Sequence, residues 1–139
     1  MLFHRIQQLS RDVNQYLNHA LKDEDIYMSH WAVIFQLKQF GPMTQTELKE
    51  RLNIEAPPLS RTLKRLEEME YVQKWTSQDH RTNDLQLSAK GESYYPGWEK
   101  KIKSAENRVL SQLGEQGEAE LEQKLIAISS MMNGKGGQS

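Results

Sequence analysis

No cysteine occurs anywhere in the 139 residues. That excludes disulfides, a thiolate zinc site and a thiol-based redox sensor, and it fits a reducing compartment, so the cytoplasm is the expected location. No apolar run approaches the ~20 residues that a membrane span requires, so no membrane partner is expected. The opening Met1-Leu2-Phe3-His4-Arg5-Ile6 lacks the apolar core and cleavage pattern of a signal peptide. There is no glycine-rich phosphate loop, and the four histidines (His4, His19, His30, His80) are scattered along the chain. Neither a cofactor site nor a catalytic His/carboxylate constellation is therefore expected, and the chain reads as a non-enzyme. His19 and Asp23 lie one helical turn apart, but two ligands are too few to hold a metal. A strong charge of one sign is missing as well: the formal net charge is −1.

What remains is a polar chain, 27% charged, with a mean hydropathy of −0.79. Its length suits one domain with a modest core. That core is spread thinly over long helices, which points to apolar surface buried against a partner subunit.

The most informative stretch runs from Thr44 to Ser88. Thr44-Gln45-Thr46-Glu47 is a capping box opening a helix that reaches about Leu52; the glutamate should reach back to the threonine's own N–H. A second helix, about Glu55 to Glu70, puts Leu59, Leu63, Leu66 and Met69 on one stripe. Its opposite face carries Ser60, Arg61, Lys64 and Arg65, with no acid until Glu67. A leucine stripe backed by a cationic face suits a helix that reads a DNA major groove. A solvated basic face, or a helix packed in a larger bundle, would show the same pattern. Two short strands follow, Tyr71–Trp75 and Leu85–Leu87, around a polar tip. A hairpin directly after a reading helix is a wing, and Arg81 at its tip could enter the minor groove with Asp79 bracing it.

These residues resemble the MarR family of transcriptional regulators. The likeness is carried by Gly41-Pro42-Met43-Thr44-Gln45-Thr46-Glu47-Leu48, by Leu59-Ser60-Arg61-Thr62-Leu63-Lys64-Arg65-Leu66-Glu67, by Asp79-His80-Arg81, by Leu85-Gln86-Leu87-Ser88, and by Lys90-Gly91. The resemblance implies a mainly α fold with a small β-hairpin wing, a winged helix-turn-helix flanked by terminal dimerisation helices. It further implies a homodimer that binds double-stranded DNA at a pseudo-palindromic operator as a repressor, released by a small aromatic or anionic effector. The lack of cysteine excludes the family's thiol-based peroxide-sensing branch.

Charge over residues 43–90 lends no support of its own. Eight cations (Lys49, Arg51, Arg61, Lys64, Arg65, Lys74, Arg81, Lys90) face eight acids (Glu47, Glu50, Glu55, Glu67, Glu68, Glu70, Asp79, Asp84). Only their distribution favours DNA, with cations on the reading face and wing. Near-zero regional charge keeps open an alternative, a winged-helix module whose Arg61, Lys64 and Arg65 dock an acidic protein partner.

Taken in order, residues 2–20 form a long helix with Leu2, Ile6, Leu9, Val13, Tyr16 or Leu17, and Ala20 at helical spacing. An acidic connector, Lys22–Asp25, follows. Ser29 is the expected cap of a second helix whose Trp31, Ile34, Phe35, Leu37 and Phe40 give it a broad apolar surface, stopped by Gly41-Pro42. Glu55 is a weak cap for the reading helix, and Pro57 and Pro58 sit in its first turn, where missing N–H groups are tolerated. Two prolines cannot donate, so apolar contact with a thymine methyl is expected there. Thr44, Gln45, Pro57, Pro58, Ser60, Arg61, Lys64, Arg65 and Arg81 thus form the expected DNA-binding set.

Ser88 caps a further helix, in which Pro96-Gly97 predicts a kink or a short break. Gly114 separates a last helix bearing Leu121, Leu125, Ile128 and Met131 or Met132. The expected organisation is residues 1–28 as a dimerisation helix and connector, 29–91 as the DNA-binding unit, 92–133 as dimerisation helices and 134–139 as a tail. Leu2, Ile6, Leu9, Val13, Ile102, Val109, Leu113, Leu121, Leu125 and Ile128 are the expected dimer contacts. By position, Tyr16, His30, Trp31, Tyr94, Tyr95 and Trp98 are the candidates for lining an effector pocket, although each also reads as plain packing.

Overall fold

The structure, a computed structural model, describes residues 1–76 and 83–134. The expectations placed on Asp79, His80 and Arg81 lie outside the described residues. The chain divides into two compact units, Met1–Ile102 and Lys103–Ser139.

In the first unit, α1 (Leu2–Ala20) is followed by α2 (Met28–Phe40), α3 (Gln45–Leu52), α4 (Ala56–Glu68), β1 (Val72–Thr76), β2 (Asn83–Leu87) and α5 (Ala89–Leu110), whose last turns belong to the second unit. β1 and β2 pair antiparallel, with Val72 opposite Leu87 and Lys74 opposite Leu85. The core draws Leu17 and Leu21 from the α1 end, Val33, Ile34 and Leu37 from α2, Leu48 from α3, and Leu59, Leu63 and Leu66 from α4. Val72, Leu85 and Leu87 close it from the hairpin, and Trp98 from α5.

Several local expectations change. Ser29 does not cap α2, which starts two residues earlier than that cap implies, at Met28 behind Tyr27. The Tyr27 N–H donates to His30 Nδ1 at 2.9 Å and the Met28 N–H to Asn18 Oδ1 at 2.6 Å, so a ring and an α1 amide cap this helix. Phe35 and Phe40 are exposed rather than core, and the Phe40 ring lies 4.2 Å from the Arg51 guanidinium carbon. β2 is longer than expected, and Met43 adds an isolated bridge to Leu85 (N···O 2.8 and 3.1 Å), stitching the α2–α3 connection to the wing. α5 runs unbroken through Pro96. Burial of Tyr95 and Trp98 on either side holds the backbone helical although one ladder bond is lost.

The second unit holds the end of α5, a 3-10 turn at Ser111–Leu113 and α6 (Gly114–Met132). Gly114 makes the expected separation at φ +73°, a left-handed conformation that costs glycine little. No residue of α6 is buried, and Leu121, Leu125, Ile126, Met131 and Met132 are all exposed.

Candidate nucleic-acid interface

α3 begins as the sequence requires. Thr44 Oγ1 accepts from the Glu47 N–H at 3.1 Å. The return half of the box differs, because the Glu47 carboxylate takes the Thr44 hydroxyl (3.3 Å) instead of its N–H. α3 ends at Asn53, held left-handed at φ +54°, a conformation asparagine tolerates. Glu55 caps α4 without a side-chain hydrogen bond, and the two prolines occupy the first turn as expected.

The far end of α4 is tied more firmly. The Tyr71 N–H reaches the Leu66 carbonyl and the Glu70 N–H the Glu67 carbonyl, both at 3.0 Å, with Glu70 left-handed at φ +67°. This is a Schellman closure built on a residue other than glycine. Lys90 Nζ donates to the Met69 carbonyl at 2.8 Å, placing a cation on the negative end of the helix dipole. Ser88 Oγ donates to the Glu70 carbonyl and accepts from the Gly91 N–H at 3.0 Å, so the residue that caps α5 also fixes the turn into the wing.

With Leu59, Leu63 and Leu66 buried, α4 presents Pro57, Ser60, Arg61, Lys64 and Arg65 as exposed side chains. A groove of about 630 Å³ separates one flank of α4 from the hairpin, and Gln45, Ser60, Lys64 and Lys74 line it. Gln45 Nε2 donates to Ser60 Oγ at 2.7 Å, joining α3 to α4 at the groove.

Four features go beyond the sequence pattern. Lys74 lies in the groove because strand alternation puts it on the face of Val72, and that signal was readable in the sequence. Glu67 and Glu68 also line the groove. Pro58, exposed in the first turn of α4, also lines a separate cleft with Asn14, Asn18 and Thr62. Arg65 is exposed yet paired with Glu68 at 3.7 Å, and its charge also acts on His30.

Four of the six effector-pocket candidates belong to the protomer's own core. His30, Trp31, Tyr95 and Trp98 are each less than 10% exposed. Trp31 stacks on Tyr95 at 5.2 Å, and Trp98 meets Tyr71 edge-on at 4.8 Å. Tyr16 and Tyr94 remain exposed. Tyr71 in turn donates its hydroxyl to both Asp25 carboxylate oxygens, at 2.8 and 2.9 Å. Burial, then this bond, raise its pKa well above the usual tyrosine value. Glu24 pairs with Lys101 at 2.8 Å, so the acidic connector is pinned to α5.

Among the expected dimer contacts, Leu2, Leu9, Val13, Val109, Leu113, Leu121 and Leu125 are exposed, while Ile6 and Ile128 are half-buried. Ile102 is a correction, since it is buried within its own chain at 6% exposure. Ile126 and Phe3, both 58% exposed, extend the apolar surface beyond what periodicity suggested. Among the described residues no cluster of His, Cys, Asp and Glu could hold a metal, and no helix is long and apolar enough to cross a membrane.

A helix-turn-helix followed by a two-stranded wing defines the winged-helix class of DNA-binding folds. The MarR family profile matches residues 26–82. The uncharacterized HTH-type transcriptional regulator YwoH of Bacillus subtilis is 36% identical over 110 residues, 79% of this chain and 80% of that protein. The crystal structure of transcriptional regulator PA3341 superposes with a TM-score of 0.86 at 25% identity, covering 96% of this chain and 99% of that one. A mutant MarR from E. coli, complexed with operator DNA, gives a TM-score of 0.80 at 21% identity, covering 91% and 92%. The chain belongs to the MarR family of winged helix-turn-helix transcriptional regulators.

Proposed function

We propose that two copies of this chain bind a pseudo-palindromic operator, each laying α4 in a major groove, and repress transcription from the promoter that contains it. The observation that carries this reading is the exposed row Pro57, Ser60, Arg61 and Lys64 on a helix anchored by Leu59, Leu63 and Leu66. Arg61 and Lys64 are the cations assigned to base edges or phosphates, Ser60 and Gln45 the neutral donors, and Thr44 a phosphate contact at the start of α3. Arg65, being paired, is assigned to phosphate alone. Arg81, which lies outside the described residues, is assigned to the minor groove on its place in the sequence alone.

Pairing is supported by the exposed apolar rows on α1 (Leu2, Leu9, Val13) and α6 (Leu121, Leu125, Ile126), which a lone protomer leaves in water. A two-fold dimer sets half-sites about one helical turn apart, ~10 base pairs centre to centre. Release by a small effector completes the reading. The test is selection from a random DNA pool with the purified full-length chain, repeated with Arg61→Ala and Lys64→Ala. The expected result is a motif with two-fold symmetry whose recognition is relaxed at one position by Arg61→Ala. A motif without symmetry, or variants that select with wild-type affinity and salt dependence, overturns it.

A further inference from the structure

The carboxyl end of α4 carries charge of the wrong sign, both for a helix end and for a surface that faces DNA. Glu67 and Glu68 stand in its last turn, where the negative pole of the helix dipole disfavours anions. Both are exposed, so neither side chain is needed to fill the core. Ser60, Lys64 and Glu67 follow one another at helical spacing on a single stripe. All three line the groove between α4 and the hairpin, together with Glu68 and with Lys74 of β1.

We propose that Glu67 and Glu68 are a built-in counterweight to phosphate attraction, which makes the chain hold duplex DNA of any sequence less tightly than its cations alone would. The inference deepens the DNA-binding reading above and rests on it. The two carboxylates act by different routes, and Glu68 acts through Arg65. Arg65 Nη1 lies 3.7 Å from Glu68 Oε2, with the two side chains 59% and 52% exposed. A pair so open to water is weak, so it exchanges partners readily. A phosphate must nevertheless compete with Glu68 for the guanidinium, and the ion pair is lost when the phosphate wins.

Glu67 acts on the groove directly. Among the described residues neither Glu67 nor Lys64 enters an ion pair, so both charges stay on the groove side of α4. The two positions are ~4.5 Å apart along the helix axis. That is well inside the ~8 Å over which physiological salt screens a charge. A phosphate drawn to Lys64 therefore also meets repulsion from Glu67.

A purely structural role for these acids predicts the opposite behaviour. An anion in the last turn costs a helix stability, so neutralising Glu67 should leave the fold as stable as before or slightly more so. Glu68 recovers only what an exposed pair three residues apart supplies, which is small. The effect on binding falls on contacts that carry no sequence information. Phosphates are alike at every site, so random and operator duplexes should gain alike when either charge is removed.

The experiment measures binding of the full-length chain to a labelled random-sequence duplex and to the selected operator over a salt series. Wild type is compared with Glu67→Gln, Glu68→Gln, Arg65→Ala and the Arg65→Ala/Glu68→Gln double variant. Glu67→Gln and Glu68→Gln should each tighten binding to both duplexes severalfold at low salt, with no fall in melting temperature. Glu68→Gln should also steepen the slope of log K against log salt by about one, because one more cation is free to neutralise a phosphate. In the Arg65→Ala background it should lose that steepening and most of its gain. Unchanged or weaker binding by both single variants, or a Glu68→Gln gain that persists in full without Arg65, would overturn the proposal. If the wild-type chain selects an operator while its variants behave in that way, the counterweight alone fails. A wild-type chain that binds neither duplex would overturn the proposed function as well.

Discussion

Gln45 Nε2 donates to Ser60 Oγ across the helix-turn-helix at 2.7 Å, and so the first residue of α3 orients a side chain in the middle of the reading helix. The serine oxygen accepts from the amide, which leaves its hydroxyl hydrogen available for donation. Two residues that the sequence marked separately as DNA contacts act as one unit.

That coupling has a measurable consequence. Gln45→Ala and Ser60→Ala should each weaken operator binding by about 1 kcal/mol, the scale of one net hydrogen bond, and the double variant should lose little more than either alone. Affinities from a double-mutant cycle at fixed salt check this. Losses that simply add would show that the two side chains work independently.

Gly91 lies against the base of the wing. A Cβ there would fall on the Tyr71 carbonyl oxygen, which already accepts from the Ser88 N–H at 3.0 Å. Backbone on both sides leaves no room for adjustment, so Gly91→Ala should destabilise the fold by about 1–3 kcal/mol. Denaturant midpoints at unchanged slope would report it; a wild-type midpoint would mean that α5 can shift away from the hairpin.

Glu70 illustrates the opposite case, a strained position with space around it. Its φ of +67° burdens an exposed side chain with a left-handed backbone. Glu70→Gly should raise stability by up to about 1 kcal/mol, because relief of the backbone strain exceeds the entropy that glycine adds to the unfolded chain. Glu70→Val should lower it. Thermal melts of the pair decide, and the same sign for both would refute the account.

His30 makes stability depend on pH. Its Nδ1 accepts from the Tyr27 N–H and therefore must be unprotonated, and the ring is buried. Burial, then the charge of Arg65, depress its pKa below the ordinary 6.5, while Asp25 opposes them. Because the unfolded chain takes up the proton first, the stabilisation is complete above that unfolded value and is lost as pH falls from it through the depressed folded one. His30→Asn keeps an acceptor without a titration, so its melting temperature should vary less than wild type across that acidic window. Parallel curves would sink the assignment.

The helices were legible because their signals are local. The Thr44 cap, the Leu59–Leu63–Leu66 stripe and the Ser88 cap each declare an element within a few residues, and all three stand as read. What could not be read depends on chain segments far apart. Asn18 displaces Ser29 as the cap of α2 from ten residues away, and Met43 finds Leu85 across α3 and α4. The short break allowed for at Pro96 is absent in the same manner, since the packing of Tyr95 and Trp98 keeps α5 continuous there. At the interface, composition distinguishes cations from acids but not which acids share their groove, and only the coordinates reveal Glu67 and Glu68 beside Lys64 and Lys74.

In the DNA-binding mode proposed above, those two carboxylates would make the chain a poor passenger on random DNA. Each would oppose the phosphates that the neighbouring lysines attract, so loose encounters would be brief. Residence would then be left to a sequence that satisfies the donors on α4, and a modest rise in potassium would empty weak sites before strong ones.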